Sequence, residues 1–332
     1  MHHLAPVPET RETGTGCDIL AYLPPGIRDI VACLPASTWE QLEEIRLRVG
    51  RPLVVTVREG ERFVSPEGVT AVGPSKAYLV TADDVKRMLQ IITASSLYAL
   101  EDELRSGFIT LPGGYRVGLA GKVITEGGRV RTIKHIAGLN LRIAREVRGA
   151  ADAVLPRVIR KPDQVYHTLI ASPPRCGKTT LLRDLARQLS NGIPHLGFTG
   201  VTVVIVDERS EIAGCYRGIP QCDVGLRTDV LDGCPKVEGM MLALRALSPR
   251  VIVTDEIGRE EDARALEEIL NAGVKVIATA HAFSPEDLVR RPAFTYLFRL
   301  RLFERLVLLS RRYGPGTVDR IIDGHKLDLA GG

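Results

Sequence analysis

Aromatic residues make up only 5% of the chain's 332 residues, and one of them is Trp. No basic run carries interleaved aromatics, so the stacking surface of a single-strand nucleic-acid binder is missing. Charge of one sign is missing too. With 44 Lys+Arg against 40 Asp+Glu the net charge is +4, too small an excess to mark a nucleic-acid partner. No run of about 18 apolar residues exists to span a bilayer as a helix. The opening Met1-His2-His3-Leu4-Ala5-Pro6 has neither the basic nor the apolar region of a signal peptide, which predicts a cytoplasmic protein. Cys17, Cys33, Cys176, Cys215, Cys222 and Cys234 form no C-x-x-C pair and no zinc-finger spacing, so they read as reduced, mostly buried thiols.

What is present is an ordinary globular composition, 45% apolar and 25% charged, long enough for two domains. Residues 1–16, rich in Pro, Thr and Gly, predict a flexible arm. Residues 17–147 predict a small α+β domain. Within it, Cys17 to Leu47 reads as helix interrupted by prolines, and Pro52 to Val57 as strand. Thr81 and Asp84 open a helix with a capping box, and apolar spacing carries that helix to Ser106. Residues 148–162 read as a linker with one apolar patch, where hinge motion could couple the two domains. Residues 163–310 change character. Short apolar runs at Tyr166–Ala171, Val201–Val206, Val251–Thr254 and Lys275–Thr279 alternate with helical patterns, which signals a parallel sheet. Residues 311–332 read as a tail or a final hairpin.

The chemistry concentrates in this second domain. Ser172-Pro173-Pro174-Arg175-Cys176-Gly177-Lys178-Thr179 fits the phosphate-loop pattern G-x-x-x-x-G-K-[ST] except at its first position, and Thr180 follows in the helix. An apolar strand precedes it and a helical pattern follows it. The unpaired amides of a helix start and its positive dipole end suit phosphate. Lys178 would reach the β and γ phosphates, and the Thr179 hydroxyl would hold Mg²⁺. Ser172 in place of Gly would carry backbone strain if the loop needs a positive φ there.

A second apolar strand ends in Asp255-Glu256. In a phosphate-loop enzyme the first such acid holds the Mg²⁺ shell and the second orients or deprotonates the attacking water. Asp207-Glu208-Arg209-Ser210-Glu211 ends another strand, which makes Glu208 and Glu211 candidates near metal or water. Thr279-Ala280-His281 ends a fourth, and His281 there would sense the γ-phosphate.

These boxes, in this order, resemble the secretion-ATPase superfamily of ring-forming motors behind type II and type IV secretion and pilus machines. The segment from Gln221-Cys-Asp-Val-Gly225 through Ser248-Pro-Arg-Val-Ile-Val-Thr-Asp255-Glu256 to Ala278-Thr-Ala-His281 carries that likeness. More closely, the chain resembles the stage III sporulation protein AA family. The carriers are Leu47-Arg-Val-Gly-Arg-Pro-Leu53, Gly107-Phe-Ile-Thr-Leu-Pro-Gly-Gly-Tyr-Arg-Val-Gly-Leu-Ala-Gly-Lys122 and Ile133-Lys-His-Ile-Ala-Gly-Leu-Asn-Leu-Arg-Ile143.

The resemblance implies an α/β, RecA-like P-loop ATPase domain with a parallel sheet, preceded by the smaller α+β domain. It implies a hexamer that binds ATP and Mg²⁺ and works on membrane proteins of a stage III sporulation channel, at the mother-cell side of the forespore membrane. It also implies arginines that neutralise phosphate charge across a ring. Arg116, Arg131 and Arg142 lie in plausible segments of the first domain. Cys222 stands where many secretion ATPases carry Arg, so Arg217 or Arg227 would have to replace that charge. The leading expectation is a Mg²⁺-dependent ATPase. Ser172 and Cys222 motivate an alternative, a nucleotide-gated assembly scaffold with little hydrolysis. A nucleic-acid motor is a third reading, disfavoured by the scarcity of aromatics.

Overall fold

A computed structural model describes residues 19–70, 73–93, 101–143 and 146–324. The expected arm at 1–16 lies outside the described residues. The chain divides into two compact units, Met1–Ala144 and Arg145–Gly332.

In the first unit, α1 (Pro25–Ala32) and α2 (Ala36–Trp39) precede β1 (Leu42–Arg48), β2 (Val54–Val57) and β3 (Gly60–Phe63). Then follow α3 (Ala82–Ile92), α4 (Glu101–Ser106), β4 (Phe108–Thr110), β5 (Arg116–Glu126) and β6 (Arg129–Arg142). The strands form one antiparallel sheet in the order β3-β2-β1-β6-β5-β4. Its core joins Ile45, Leu47, Val55, Val117 and Leu141 to Ile27 and Val31 of α1 and Val85 and Met88 of α3. The expected capping box is present. Asp84 donates its amide to the Thr81 hydroxyl at 3.1 Å, and its carboxylate accepts the Thr81 amide at 2.8 Å. The helix stops at Ile92 rather than running on to Ser106, and the Thr93 hydroxyl donates to the Leu89 carbonyl. Residues 94–100 lie outside the described residues, and α4 follows them.

Residues 42–47, expected to be helical, form β1. A bulge between Leu42 and Glu44 shifts the register, so the alternation of buried Ile45 and Leu47 with their neighbours does not extend back to Leu42. That irregularity hides a period of two.

The second unit opens with α5 (Leu155–Val158) and a short pair, β7 (Ile159–Arg160) with β8 (Gln164–Val165). Next come β9 (Thr168–Ser172), α6 (Lys178–Asn191), β10 (Val203–Asp207), β11 (Thr228–Asp232), α7 (Lys236–Ala246) and β12 (Val251–Thr254). The unit ends with α8 (Glu260–Asn271), β13 (Lys275–His281), α9 (Pro285–Val289), α10 (Pro292–Arg299), β14 (Arg305–Ser310) and β15 (Thr317–Asp323). The sheet order is β11-β10-β12-β13-β9-β14-β15, parallel throughout except for β15 at one edge.

Both faces of this sheet are covered. Ile170, Ile205, Val253 and Ile277 pack toward Leu181, Leu185 and Leu189 of α6. The alternate residues Leu169, Val204, Ile252 and Val276 pack toward Met240 of α7, Leu266 and Ile269 of α8, and Phe294 of α10. Two-sided burial explains why these strands are nearly unbroken apolar runs. Each such side chain removed from water contributes about 1.5–3 kcal/mol before entropy.

Residues 148–162, expected as a linker, are built into this second core. Ala151, Val154, Leu155 and Val158 are buried against α6, and the Ala151 amide donates to Asp184 Oδ2 at 2.9 Å. The apolar patch seen in the sequence is core, which removes the basis for a hinge there. The expected tail from 311 onward includes β15, hydrogen-bonded to β14 as the final hairpin.

Candidate active site

Three connections leave the parallel sheet at the carboxyl edge of β9, β12 and β13, where an open α/β sheet offers its ligand crevice. β13 lies between the other two, so the phosphate-loop pattern and the Asp255-Glu256 pair open on the same edge.

The loop from Pro173 to Gly177 joins β9 to α6. Gly177 sits at φ 85°, and a Cβ there would lie 2.9 Å from the Gly316 backbone nitrogen, so only glycine fits. Arg175 also takes a left-handed φ, 59°. No side chain caps the start of α6, which leaves the first-turn amides directed at the loop. Ser172, expected to strain the backbone, does not. It lies in β9 in register with His281, its hydroxyl donating to the Pro173 carbonyl at 2.7 Å.

Lys178 is 7% exposed, and burial lowers the pKa of its ammonium, while Cys176 and Glu256 act against that shift. It donates to the Ser172 carbonyl and hydroxyl and to the Pro173 carbonyl, each at 3.2 Å. It also meets His281 Nδ1 at 3.0 Å, and His281 Nε2 meets Glu256 Oε1 at 3.0 Å. An ammonium has only protons to give, so the ring accepts at Nδ1 and donates from Nε2. Arg209 completes the chain with an ion pair to Glu256 Oε2 at 3.0 Å. Burial alone would raise the Glu256 pKa, but the His281 hydrogen bond and the Arg209 charge outweigh it and hold the carboxyl below its usual value. Glu256 takes φ 46°, and its amide donates to Thr279 Oγ1 at 2.9 Å. The sequence therefore placed Lys178, Glu256 and His281 in one site. Arg209 and Thr279 complete it and were not singled out as site residues, although Thr279 stands two residues before His281 on the same strand face.

Asp255 is 3% exposed, and its pKa is pushed up to about 7, chiefly by burial and then by the charge of Asp207, with Lys236 opposing. Glu211 and Glu256 add like charge. A hard cation relieves that condition, and carboxylate and hydroxyl oxygens are donors suited to Mg²⁺. The residues present thus fit the expected ion. Among the described residues no three His, Cys, Asp or Glu side chains gather as a metal site on their own. A Mg²⁺ that shares substrate phosphate oxygens needs only one or two protein ligands.

The acidic box divides its work. Asp207, fully buried, accepts the amides of Glu211, Ile212 and Ala213 at 2.8–2.9 Å and so shapes the turn after β10. Glu208 ion-pairs with Lys236 at 2.7 Å. Glu211 lends its carbonyl to Arg183 at 2.7 Å, and its carboxylate acts on Asp255.

The candidate arginines separate. In the first unit, Arg116 stacks 3.5 Å over the Phe108 ring, and Arg131 pairs with Glu126 at 3.1 Å on the surface. Arg142 bonds Glu44 Oε1 at 2.9 Å, directly across the β1–β6 register. In the second unit, Arg217 is exposed beside the Tyr216 ring with φ 51°. Arg227 donates to the Ser190 carbonyl, at the far end of α6, about 20 Å along the helix from the phosphate loop. In its own chain Arg227 is an anchor for that helix end and does not reach the loop. Cys222 is buried in the connection between β10 and β11.

A family model described as "Sporulation stage III, protein AA" matches residues 16–328. Stage III sporulation protein AA of Bacillus subtilis (strain 168) is 45% identical over 306 residues, 92% of this chain and 94% of the relative. Among solved structures, the ATPase DotB of Legionella pneumophila aligns with TM-score 0.56 and 15% identity, covering 91% of this chain and 78% of its own. The pilus retraction motor PilT with bound ADP aligns with TM-score 0.50 and 17% identity, covering 82% and 75%. At these identities the likeness is one of fold: a RecA-like α/β domain with a parallel sheet, preceded by a smaller α+β unit.

Proposed function

From its membership of the stage III sporulation protein AA family, to which this chain belongs, we propose that it binds ATP with Mg²⁺ at the β9–α6 loop and hydrolyses it. The observation that carries this reading is the connected series Lys178–His281–Glu256–Arg209 at the carboxyl edge of the sheet. The α6 amides and Lys178 receive the phosphates, with Lys178 exchanging loop carbonyls for phosphate oxygens. Glu256, held ionised, orients and deprotonates the attacking water, and His281 links its carboxylate to the lysine that feels the γ-phosphate. Thr179 and Asp255 would hold Mg²⁺, which supplies charge neutralisation on the phosphates.

The assembly proposed is a hexameric ring acting as the motor of a sporulation-specific, secretion-like channel. It would sit in the cytoplasm against the mother-cell side of the forespore membrane, on the channel's membrane proteins. Among the described residues no helix is long and apolar enough to cross a membrane. Arg131, in a surface ion pair with Glu126, and Arg217, exposed beside Tyr216, are the arginines a ring neighbour could use; Arg142 and Arg227 hold their own units together.

The test is phosphate release by the purified full chain with Mg²⁺ and ATP, alongside mass measurement with a non-hydrolysable analogue. Wild type should release phosphate and assemble, Lys178→Ala should do neither, and Glu256→Gln should assemble without release. Equal release by wild type and Lys178→Ala would overturn the reading. Assembly with wild-type release no faster than Glu256→Gln would replace the motor with the nucleotide-gated scaffold.

A further inference from the structure

The turn between β14 and β15, residues 311–316, is not used by the phosphate chemistry, yet it touches the phosphate loop. β14 runs parallel beside β9, with Leu308 opposite Ala171, so its turn leaves the sheet at the same edge. The Gly316 amide donates to the Cys176 carbonyl at 2.9 Å, inside the phosphate loop itself. The turn is braced from within. The Thr317 hydroxyl donates to the Gly314 carbonyl at 2.7 Å and accepts the Tyr313 amide at 3.2 Å, and the Arg312 amide donates to the Ser310 hydroxyl at 3.2 Å. On this turn Tyr313 stands 82% exposed, with the Arg312 guanidinium 5.6 Å from its ring centroid.

A lone exposed aromatic says little. Its position relative to the phosphates says more. Lys178, His281 and Glu256 mark the γ-phosphate end, on the β13 and β12 side of β9. A triphosphate lying along the loop must send its nucleoside away from that end. β14 and its turn lie on the opposite side of β9 from β13.

We propose that Tyr313, flanked by Arg312, is the platform on which the nucleobase of the bound triphosphate stacks. The inference rests on the reading above that the loop holds a nucleoside triphosphate. An aromatic face and a guanidinium suit a flat, electron-rich ring, and stacking accepts any base. A braced backbone loses little freedom when the base arrives, so most of the stacking energy appears as affinity.

The experiment compares two probes on the full chain by calorimetry, Mg²⁺-ATP and Mg²⁺-tripolyphosphate, the second having the phosphates without the base. Tyr313→Ala should weaken ATP binding by about tenfold and leave tripolyphosphate binding unchanged, while Tyr313→Phe should match wild type. Equal weakening of both probes would make the turn a mere brace for the loop and overturn the proposal. Unchanged ATP binding in Tyr313→Ala would overturn it as well. Wild type that binds neither probe would overturn the phosphate-loop reading, and this one with it.

Discussion

Replacing Thr279 by Val keeps the shape of a buried strand residue and removes one oxygen. That oxygen accepts the Glu256 amide at 2.9 Å, while the Thr279 carbonyl separately accepts the Ile257 amide at 2.9 Å. Between these two bonds Glu256 is held at φ 46°, a conformation that costs an L-residue about 1–2 kcal/mol. Without the hydroxyl, the Glu256 amide loses its acceptor, at about 1–3 kcal/mol. The two magnitudes are alike, so the backbone gains by leaving the left-handed region, and the strain it sheds offsets part of the loss. The net fall in stability should be no more than about 1 kcal/mol by urea unfolding. The catalytic effect should be larger. Glu256 would swing off His281, and a misplaced water-orienting acid costs on the order of 10²-fold in turnover. Nucleotide affinity should stay within about twofold, because Lys178 and the α6 amides do not depend on Thr279. Thr279→Ser, which restores the oxygen, should restore turnover. The assays are steady-state phosphate release and nucleotide titration on both variants. Unchanged turnover in Thr279→Val, or affinity falling in step with turnover, would refute this account of how Glu256 is held.

Gly177→Ala should weaken nucleotide binding by about tenfold and lower stability by about 1–2 kcal/mol or more, because the φ of 85° and the 2.9 Å approach of Gly316 both oppose a Cβ. A variant as stable as wild type would show that the two turns do not pack as described. Glu44 gives a pH prediction in the first unit. Burial pushes its carboxyl pKa up from 4.5, but hydrogen bonds and charge from Arg142 and Arg46 outweigh that and leave it lowered. A carboxyl with a lowered native pKa contributes stability above its unfolded value and loses it as pH falls through the native one. Wild type should therefore exceed Glu44→Gln by about 1–3 kcal/mol at neutral pH, with the difference closing in acid. A difference constant with pH, measured by denaturant unfolding across that range, would sink the assignment.

The parallel sheet was legible because two-sided burial writes each strand as an apolar run, and because chemistry at such an edge falls just after the run ends. That is why Lys178, Asp255, Glu256 and His281 stand together in space although scattered along the chain. β1 was not legible, since its bulge breaks the alternation that marks a strand. Arg209 and Thr279 sat in view, each close to a residue already chosen, but nothing in the spacing says that a threonine side chain will hold a backbone amide just past the end of the neighbouring strand. The phosphate loop shows the same limit from the other side. Its departure from pattern at Ser172 suggested strain, because the pattern records which residue is usual and not which φ is needed. Here the positive φ values fall at Arg175, Gly177 and Glu256, while Ser172 belongs to the sheet. Strain in this site is thus concentrated where the chain turns away from the strands toward the expected phosphates. It is held there by neighbours that are remote in sequence: Gly316 against Gly177, and Thr279 beneath Glu256. A site built this way loses geometry before it loses stability, so substitutions at these supporting positions should separate turnover from folding more cleanly than substitutions in the loop itself.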